Sequence, residues 1–184
     1  LNILGGIDSL STGEVIVNDS PLSKMKENEL AEYRAKEIGF IFQFYNLIPT
    51  LTVYENVALM KDIKDDILNP ITILERVGLK NHVKKFPNQL SGGEQQRVSI
   101  ARAITKNPEI LLCDEPTGAL DSETGCKVLQ LIQDVCREFQ KTVIIVTHNS
   151  NIAKVADKVI RLKNGKILEI SLNDSPADIK EVEW

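Results

Sequence analysis

No apolar run in this sequence is long enough to cross a bilayer, and no signal peptide opens it, so any membrane role must pass through a partner. Cysteine is sparse. Cys113, Cys126 and Cys136 are odd in number and lack CxxC or similar spacing, which removes a disulfide framework and a cysteine metal site. Cys113 lies inside an apolar stretch and reads as a small core residue, and a reducing cytoplasm is the simplest setting. Basic charge is also lacking. The net charge is −4 and the pI about 5.3, which argues against a large nucleic-acid footprint, and no nucleic-acid partner is expected. What remains is 184 residues, 42% hydrophobic and 26% charged, the ordinary composition of one globular domain with a sizeable core. The first residue is Leu1, in mid-course of an apolar helical pattern, which reads as a fragment of a longer chain.

Leu1, Ile3 and Leu4 run into Gly5-Gly6, a helix stop. Glu14 to Val17 alternates as a strand closed by Asn18-Asp19. Glu27 to Lys36 is a polar helix, and Ile38 to Phe42 a short buried strand ending at Gln43. Phe44 to Thr52 is irregular yet rich in large apolar groups, which either pack locally or form a docking surface. Helices are expected over Val53 to Asp62 and over Ile71 to Val77, the second stopped by Gly78. His82 stands alone among lysines and reads as a solvated surface residue.

The stretch from Leu90 to Asp121 organises the rest. Ser91-Gly92-Gly93 opens an amphipathic helix with Val98, Ala101 and Ile104 on one face. Ile110 to Cys113 is an unbroken apolar run, suited to a strand covered on both faces. It ends at Asp114-Glu115-Pro116. Ser122 to Gln140 is a long amphipathic helix, and Thr142 to Thr147 a second fully apolar strand ending at His148. A short helix at Ile152 to Ala156 precedes two strands, Val159 to Leu162 and Lys166 to Ile170, around Asn164-Gly165, a strong hairpin signal. The polar, acidic tail after Ser171 is expected to cover the surface.

Strands alternating with amphipathic helices imply a parallel α/β sheet. Ligands bind such sheets beyond the carboxyl ends of the strands. Gln43, Asp114-Glu115 and His148 all follow predicted strands, so they should meet on one edge of the sheet. Glycines before a helix let a phosphate approach free N–H groups, although Ser91-Gly92-Gly93 is equally an ordinary N-cap. Of two adjacent acids, Asp114 could hold Mg²⁺ and Glu115 orient an attacking water, the division of work that phosphoryl transfer needs. His148 could reach a γ-phosphate and keep Glu115 in register, and neutral Gln43 could touch metal or water without adding charge. Asp121 is either the N-cap of the following helix or part of an interface.

LSGGEQQR, ILLCDEP, GALD and TVIIVTH resemble the signature motif, Walker B segment, D-loop and H-loop of ABC-type ATPases, and GFIFQ resembles the approach to their Q-loop. The match spans essentially the whole chain. The resemblance implies a P-loop NTPase-type parallel sheet flanked by helices, with an α-helical signature subdomain. It divides the chain into a partial nucleotide-binding core over 1–43, a helical subdomain over 44–106, a RecA-like core over 107–170 and a tail over 171–184. It implies ATP and Mg²⁺ as cofactors. Ser91, Gly92, Gly93 and Glu94 would meet ATP on the opposite subunit of a head-to-tail homodimer, with Asp121 at the dimer interface. Asp114 would serve Mg²⁺ with Gln43, Glu115 would be the catalytic base, and His148 the γ-phosphate switch. Gln43 to Leu51 would couple the site to a transmembrane permease, placing the protein at the cytoplasmic face of the membrane. FQFYNLIPTLTVYENV, DEPTGALDSETG and the ending IKEVEW are most similar to the macrolide-export, lipoprotein-releasing and antimicrobial-peptide-resistance branch.

The family's P-loop, GxxxxGK[ST], does not occur in these residues, nor does the aromatic residue that stacks on adenine before it. In the family that loop's helix runs into a segment like LNILGG, so Leu1 falls just past it. The first core strand and P-loop are therefore expected to be missing by truncation, and the 184 residues alone to bind ATP weakly. Two other readings stay open, a soluble ABC ATPase of repair or translation and a non-catalytic fragment. Gln43 and Ser91 lie 48 positions apart, which leaves no room for the coiled coil of the chromosome-maintenance type.

Overall fold

Gly6 closes the single helical turn through which the chain enters the computed structural model, which describes residues 1–182. At φ +66 it sits where glycine is favoured. Its N–H donates to Ile3 O, and Ile7 N–H reaches back to Asn2 O, the paired bonds of a glycine C-cap. The last residues of the IKEVEW ending, Glu183 and Trp184, lie outside the described residues.

A first hairpin follows. β1 (Ile16–Val17) and β2 (Ser20–Pro21) pair antiparallel across Asn18 and Asp19, both with left-handed φ (46° and 61°). The expected strand is shorter than its alternating pattern, and its two-residue partner carried no pattern of its own. α1 (Glu27–Glu37) leads directly into β3 (Ile38–Ile41). α2 (Val53–Ala58) tightens after one and a half turns into a 3₁₀ turn over Leu59–Asp62. α3 (Pro70–Arg76) is started by Asn69, which caps the N–H groups of Ile71 and Thr72, and by Pro70 in the first position. Gly78, at φ +73, ends it.

α4 (Gly92–Thr105), β4 (Ile110–Asp114), α5 (Ser122–Glu138) and β5 (Thr142–Val146) match the expected order. A 3₁₀ segment over Ser150–Lys154 stands where a short α-helix was expected. β6 (Lys158–Lys163) and β7 (Lys166–Leu172) form the hairpin, with Asn164 at φ 50° and Gly165 at φ 73°. The tail does more than cover the surface. Its Ile179 is 2% exposed and joins the main core, where its carbonyl lies near Cys126 Sγ.

β3, β4 and β5 form one parallel sheet with β4 in the middle. Successive β4 side chains point to opposite faces. Leu111 and Cys113 enter the core built with α4 and α5, while Leu112 joins Ile38, Tyr33 and Leu22 on the other face. Burying side chains of this size contributes about 1.5–3 kcal/mol each. Burial also raises the thiol pKa of Cys113, in keeping with an inert core residue. The sheet is thus α/β, with helices packed on it, as the alternating pattern implied.

β5 corrects one expectation. It is apolar, yet Thr142 and Val146 are exposed and the residues between them only half-buried. Its free edge pairs with no strand among the described residues. The β6–β7 hairpin is a separate two-stranded sheet with Leu162, Leu168 and Leu172 each at least two-thirds exposed. No layer of the described residues covers these strands.

Candidate functional site

The signature stretch begins with a helix cap. Ser91 precedes α4 in an extended conformation, and its Oγ accepts from Glu94 N–H at 3.3 Å. Glu94 Oε2 accepts in return from Ser91 N–H at 2.7 Å, completing a capping box. That backbone bond holds the Glu94 carboxyl below its usual range, burial opposes it, and His82 and Lys85 add smaller pulls downward. The N–H groups of Gly92 and Gly93 are left without a partner among the described residues. Both glycines are also closely packed, so a side chain at either would have to displace a neighbour. A Cβ at Gly92 would stand 2.8 Å from Tyr45 Oη, and one at Gly93 would stand 2.4 Å from the Thr124 methyl.

His82 is not the solvated residue its lysine neighbours suggested. Its side chain is 24% exposed, and Nε2 lies 3.1 Å from Glu94 Oε1. The 3₁₀ turn Lys80–His82 folds it back against the start of α4, a tertiary contact that local composition could not signal.

The other site residues lie beyond the carboxyl ends of β3, β4 and β5. Asp114 is the last residue of β4, in register with Val146 of β5. Its side chain is exposed, without a hydrogen bond or ion pair among the described residues. Glu115 follows at φ +44, a left-handed conformation unusual for a glutamate. Its N–H donates to Val146 O at 2.9 Å, which bends the chain toward β5. The carboxylate then meets the exit of β5. Oε1 accepts from His148 N–H at 2.8 Å and lies 2.7 Å from His148 Nδ1, while Oε2 accepts from Thr147 Oγ1 at 3.0 Å. Gln43 leaves β3 and lays its amide against the turn after Pro116, where a Cβ on Gly118 would stand 2.9 Å from Nε2. Gln43, Asp114, Glu115 and His148 therefore share one edge of the sheet. Asp121 lies apart, as the N-cap of α5, with Oδ1 accepting from Thr124 N–H at 3.0 Å. That bond lowers its pKa.

Two residues that sequence reasoning passed over bind these parts together. Gln96 is fully buried, and its Nε2 donates to Pro116 O at 2.8 Å and to Phe42 O at 3.3 Å. One amide thus ties the signature helix to the backbone beside Glu115 and beside Gln43. Its signal was a polar residue on a buried helix face, four before Ile100. Arg102, further along α4, donates to the carbonyls of Tyr45 and Asn46. Asn56 secures the rest of that loop through Ile48, Leu51 and Thr52. Between them the apolar loop is divided. Leu47 packs on the core, while Phe44 is 74% exposed.

No group of three or more His, Cys, Asp or Glu side chains among the described residues is arranged to hold a metal. Mg²⁺ needs no such cage, since it keeps waters and takes one or two carboxylates with substrate phosphates. The open Asp114 carboxylate suits that mode, with Gln43 on the neighbouring strand's exit.

A family model described as ABC transporter matches residues 1–118. The chain belongs to the ABC transporter family. It is 46% identical over 187 residues to MG065 of Mycoplasma genitalium, covering 100% of this chain and 40% of that protein. The chain thus spans about two fifths of the length of that relative. It is 45% identical to the ABC transporter ATP-binding protein YtrE of Bacillus subtilis, covering 90% of this chain and 74% of that one. It is 41% identical to the lipoprotein-releasing system ATP-binding protein LolD of Bacteroides fragilis, covering 91% and 80%. Among solved structures it is similar to the ATP-binding cassette MJ0796 in a dimeric post-hydrolysis state bound to ADP and Pi. The TM-score is 0.81 at 39% identity, over 93% of this chain and 78% of that one. The α/β fold of this family chain is therefore that of an ATP-binding cassette.

Proposed function

We propose that this chain serves as the ATP-hydrolysing part of a membrane transporter and works as a head-to-tail dimer. The observation that carries this reading is the Glu115 carboxylate, held at the end of β4 by the exit of β5 beside an open Asp114. Glu115 would take the proton of a water attacking the γ-phosphorus of ATP. Asp114, with Gln43, would hold Mg²⁺, which when bound neutralises phosphate charge. His148 Nδ1, already 2.7 Å from Glu115, would keep the base and the γ-phosphate in register. The uncommitted N–H groups at the start of α4 suit a phosphate, and in this reading that phosphate belongs to the partner's nucleotide. Ser91, Gly92, Gly93 and Glu94 would form that face and Asp121 the adjoining dimer contact.

No helix among the described residues is long and apolar enough to cross a membrane. In this reading coupling would run through a permease at the cytoplasmic face. The loop from Gln43 to Leu51 suits that contact, because Phe44 stands exposed while Arg102 and Asn56 fix its backbone. The likeness to the lipoprotein-releasing system ATP-binding protein LolD supports the macrolide-export, lipoprotein-releasing and antimicrobial-peptide-resistance branch.

The test is Mg-ATP hydrolysis by the protein as its gene encodes it. General-base catalysis contributes about 10²- to 10⁴-fold, so Glu115→Gln should lose at least about 10² in turnover while still binding ATP. Unchanged turnover in Glu115→Gln would remove the base from Glu115 and the reading with it.

A further inference from the structure

A carboxylate has about four acceptor sites, two on each oxygen. In Glu115 they are unevenly used. Oε1 faces two groups of His148, its backbone N–H at 2.8 Å and Nδ1 at 2.7 Å. Oε2 meets one group, the Thr147 hydroxyl at 3.0 Å, and keeps an acceptor site open. The hydroxyl is itself held. Asn149 N–H donates to Thr147 Oγ1 at 3.0 Å, so a lone pair is occupied and the hydroxyl proton is turned toward Glu115. Asn149 is fixed in its turn, because its side chain caps Asn151 N–H at 2.9 Å. The backbone of Glu115 is left-handed, a conformation that persists only where surrounding contacts impose it.

We propose that Thr147 is a positioning residue for Glu115, and that it presents Oε2 as the oxygen that receives the proton of the attacking water. The proposal rests on Glu115 being the base. In the step, the water oxygen bonds to the γ-phosphorus and its proton passes to Oε2. The bond from that phosphorus to the bridging oxygen breaks, and ADP leaves with the bridging oxygen and its electron pair. Thr147 touches Glu115 Oε2 and is given no contact with the substrate. It acts through Glu115 alone, so its removal should slow the chemical step without weakening ATP binding.

The experiment compares Thr147→Val, which keeps the shape and deletes the hydroxyl, with Thr147→Ser, which restores it, in the protein as its gene encodes it. Expected are a kcat about 10- to 100-fold lower for Thr147→Val with KM for ATP within about twofold, and a kcat within about threefold of the parent for Thr147→Ser. Thr147→Ala carries the same expectation as Thr147→Val should the latter fail to fold. A parent-like kcat in Thr147→Val would overturn the proposal. So would a Thr147→Ser variant as slow as Thr147→Val, or a loss carried by KM. Glu115→Gln run alongside separates the two failures. If it turns over like the parent, the base assignment falls and this inference with it. If it is slow while Thr147→Val is not, only the role of Thr147 falls.

Discussion

The two ends of the Leu90–Asp121 stretch are held in opposite ways. At the first end, Ser91 and Glu94 satisfy each other within one helical turn. Ser91 is spent on the cap and Glu94 on the cap and on His82, so what the end can offer an anion is backbone N–H. At the second end, Glu115 is held by Thr147 and His148, more than thirty residues away in sequence. What that end offers is a side chain, aimed by another strand. A locally closed end survives changes elsewhere in the fold. An end held across strands depends on every contact that keeps β4, β5 and α4 in register.

The sharpest way to strain that difference without touching either end is Gln96. Its amide spans from α4 to Pro116 and Phe42 in a fully buried setting. Gln96→Leu leaves two carbonyls without their donor, at about 1–3 kcal/mol each. Denaturant unfolding should show a loss in that range, and turnover should fall because Pro116 adjoins Glu115. Full stability with full turnover would mean that the second end does not depend on α4.

Lys106, just past the end of α4, gives a pH-dependent handle of similar size. It is 9% exposed, donates to Arg34 O at 2.7 Å, and burial, with Lys64 nearby, pushes its pKa down to about 8. The folded pKa lies below the unfolded one, so the unfolded chain binds more protons between about pH 8 and 10.5. Stability should therefore rise with pH through that window, by about 3 kcal/mol in all for this group. Tyr33, raised to about 12 by burial, and the buried thiols of Cys113 and Cys136, also raised, act with the opposite sign above their unfolded pKa values, so the measurement belongs between about pH 7.5 and 8.5. Melting curves of Lys106→Met should be flatter there than those of the parent, and equal slopes would contradict the burial argument.

The smallest effect belongs to the self-contained end. Ser91→Ala removes one cap and should cost about 1 kcal/mol, seen as a small shift in the unfolding midpoint, with the Glu115 cluster unaffected. A much larger loss would show that the cap is not local after all.

The same contrast explains what could be read in the sequence. Caps and hairpin turns depend on neighbours a few residues apart, so Ser91, Asp121 and Asn164-Gly165 were legible, and the order of strands and helices along the chain pointed to the parallel sheet. The shared edge of Gln43, Asp114, Glu115 and His148 followed from that order. Gln96, Thr147 and the His82–Glu94 contact were not legible, because each is defined by a partner brought near only by folding. The exposure of β5 was misjudged for a related reason, and the hairpin signal said nothing of how far β6 and β7 are covered. Apolar composition tells which strands should be covered, but not what covers them.

The central claim is that one stretch serves two nucleotides, its first end the partner's and its second end its own. Mixing subunits tests it most directly. A Ser91→Arg chain, bulky at the first end, and a Glu115→Gln chain should each be inactive alone as homodimers. Mixed in equal amounts and exchanged at random, they should recover about a quarter of parental Mg-ATP turnover, because half of the dimers then carry one intact composite site of two. No recovery from a mixture shown to contain heterodimers would contradict the claim, since each nucleotide would then carry one of the two defects.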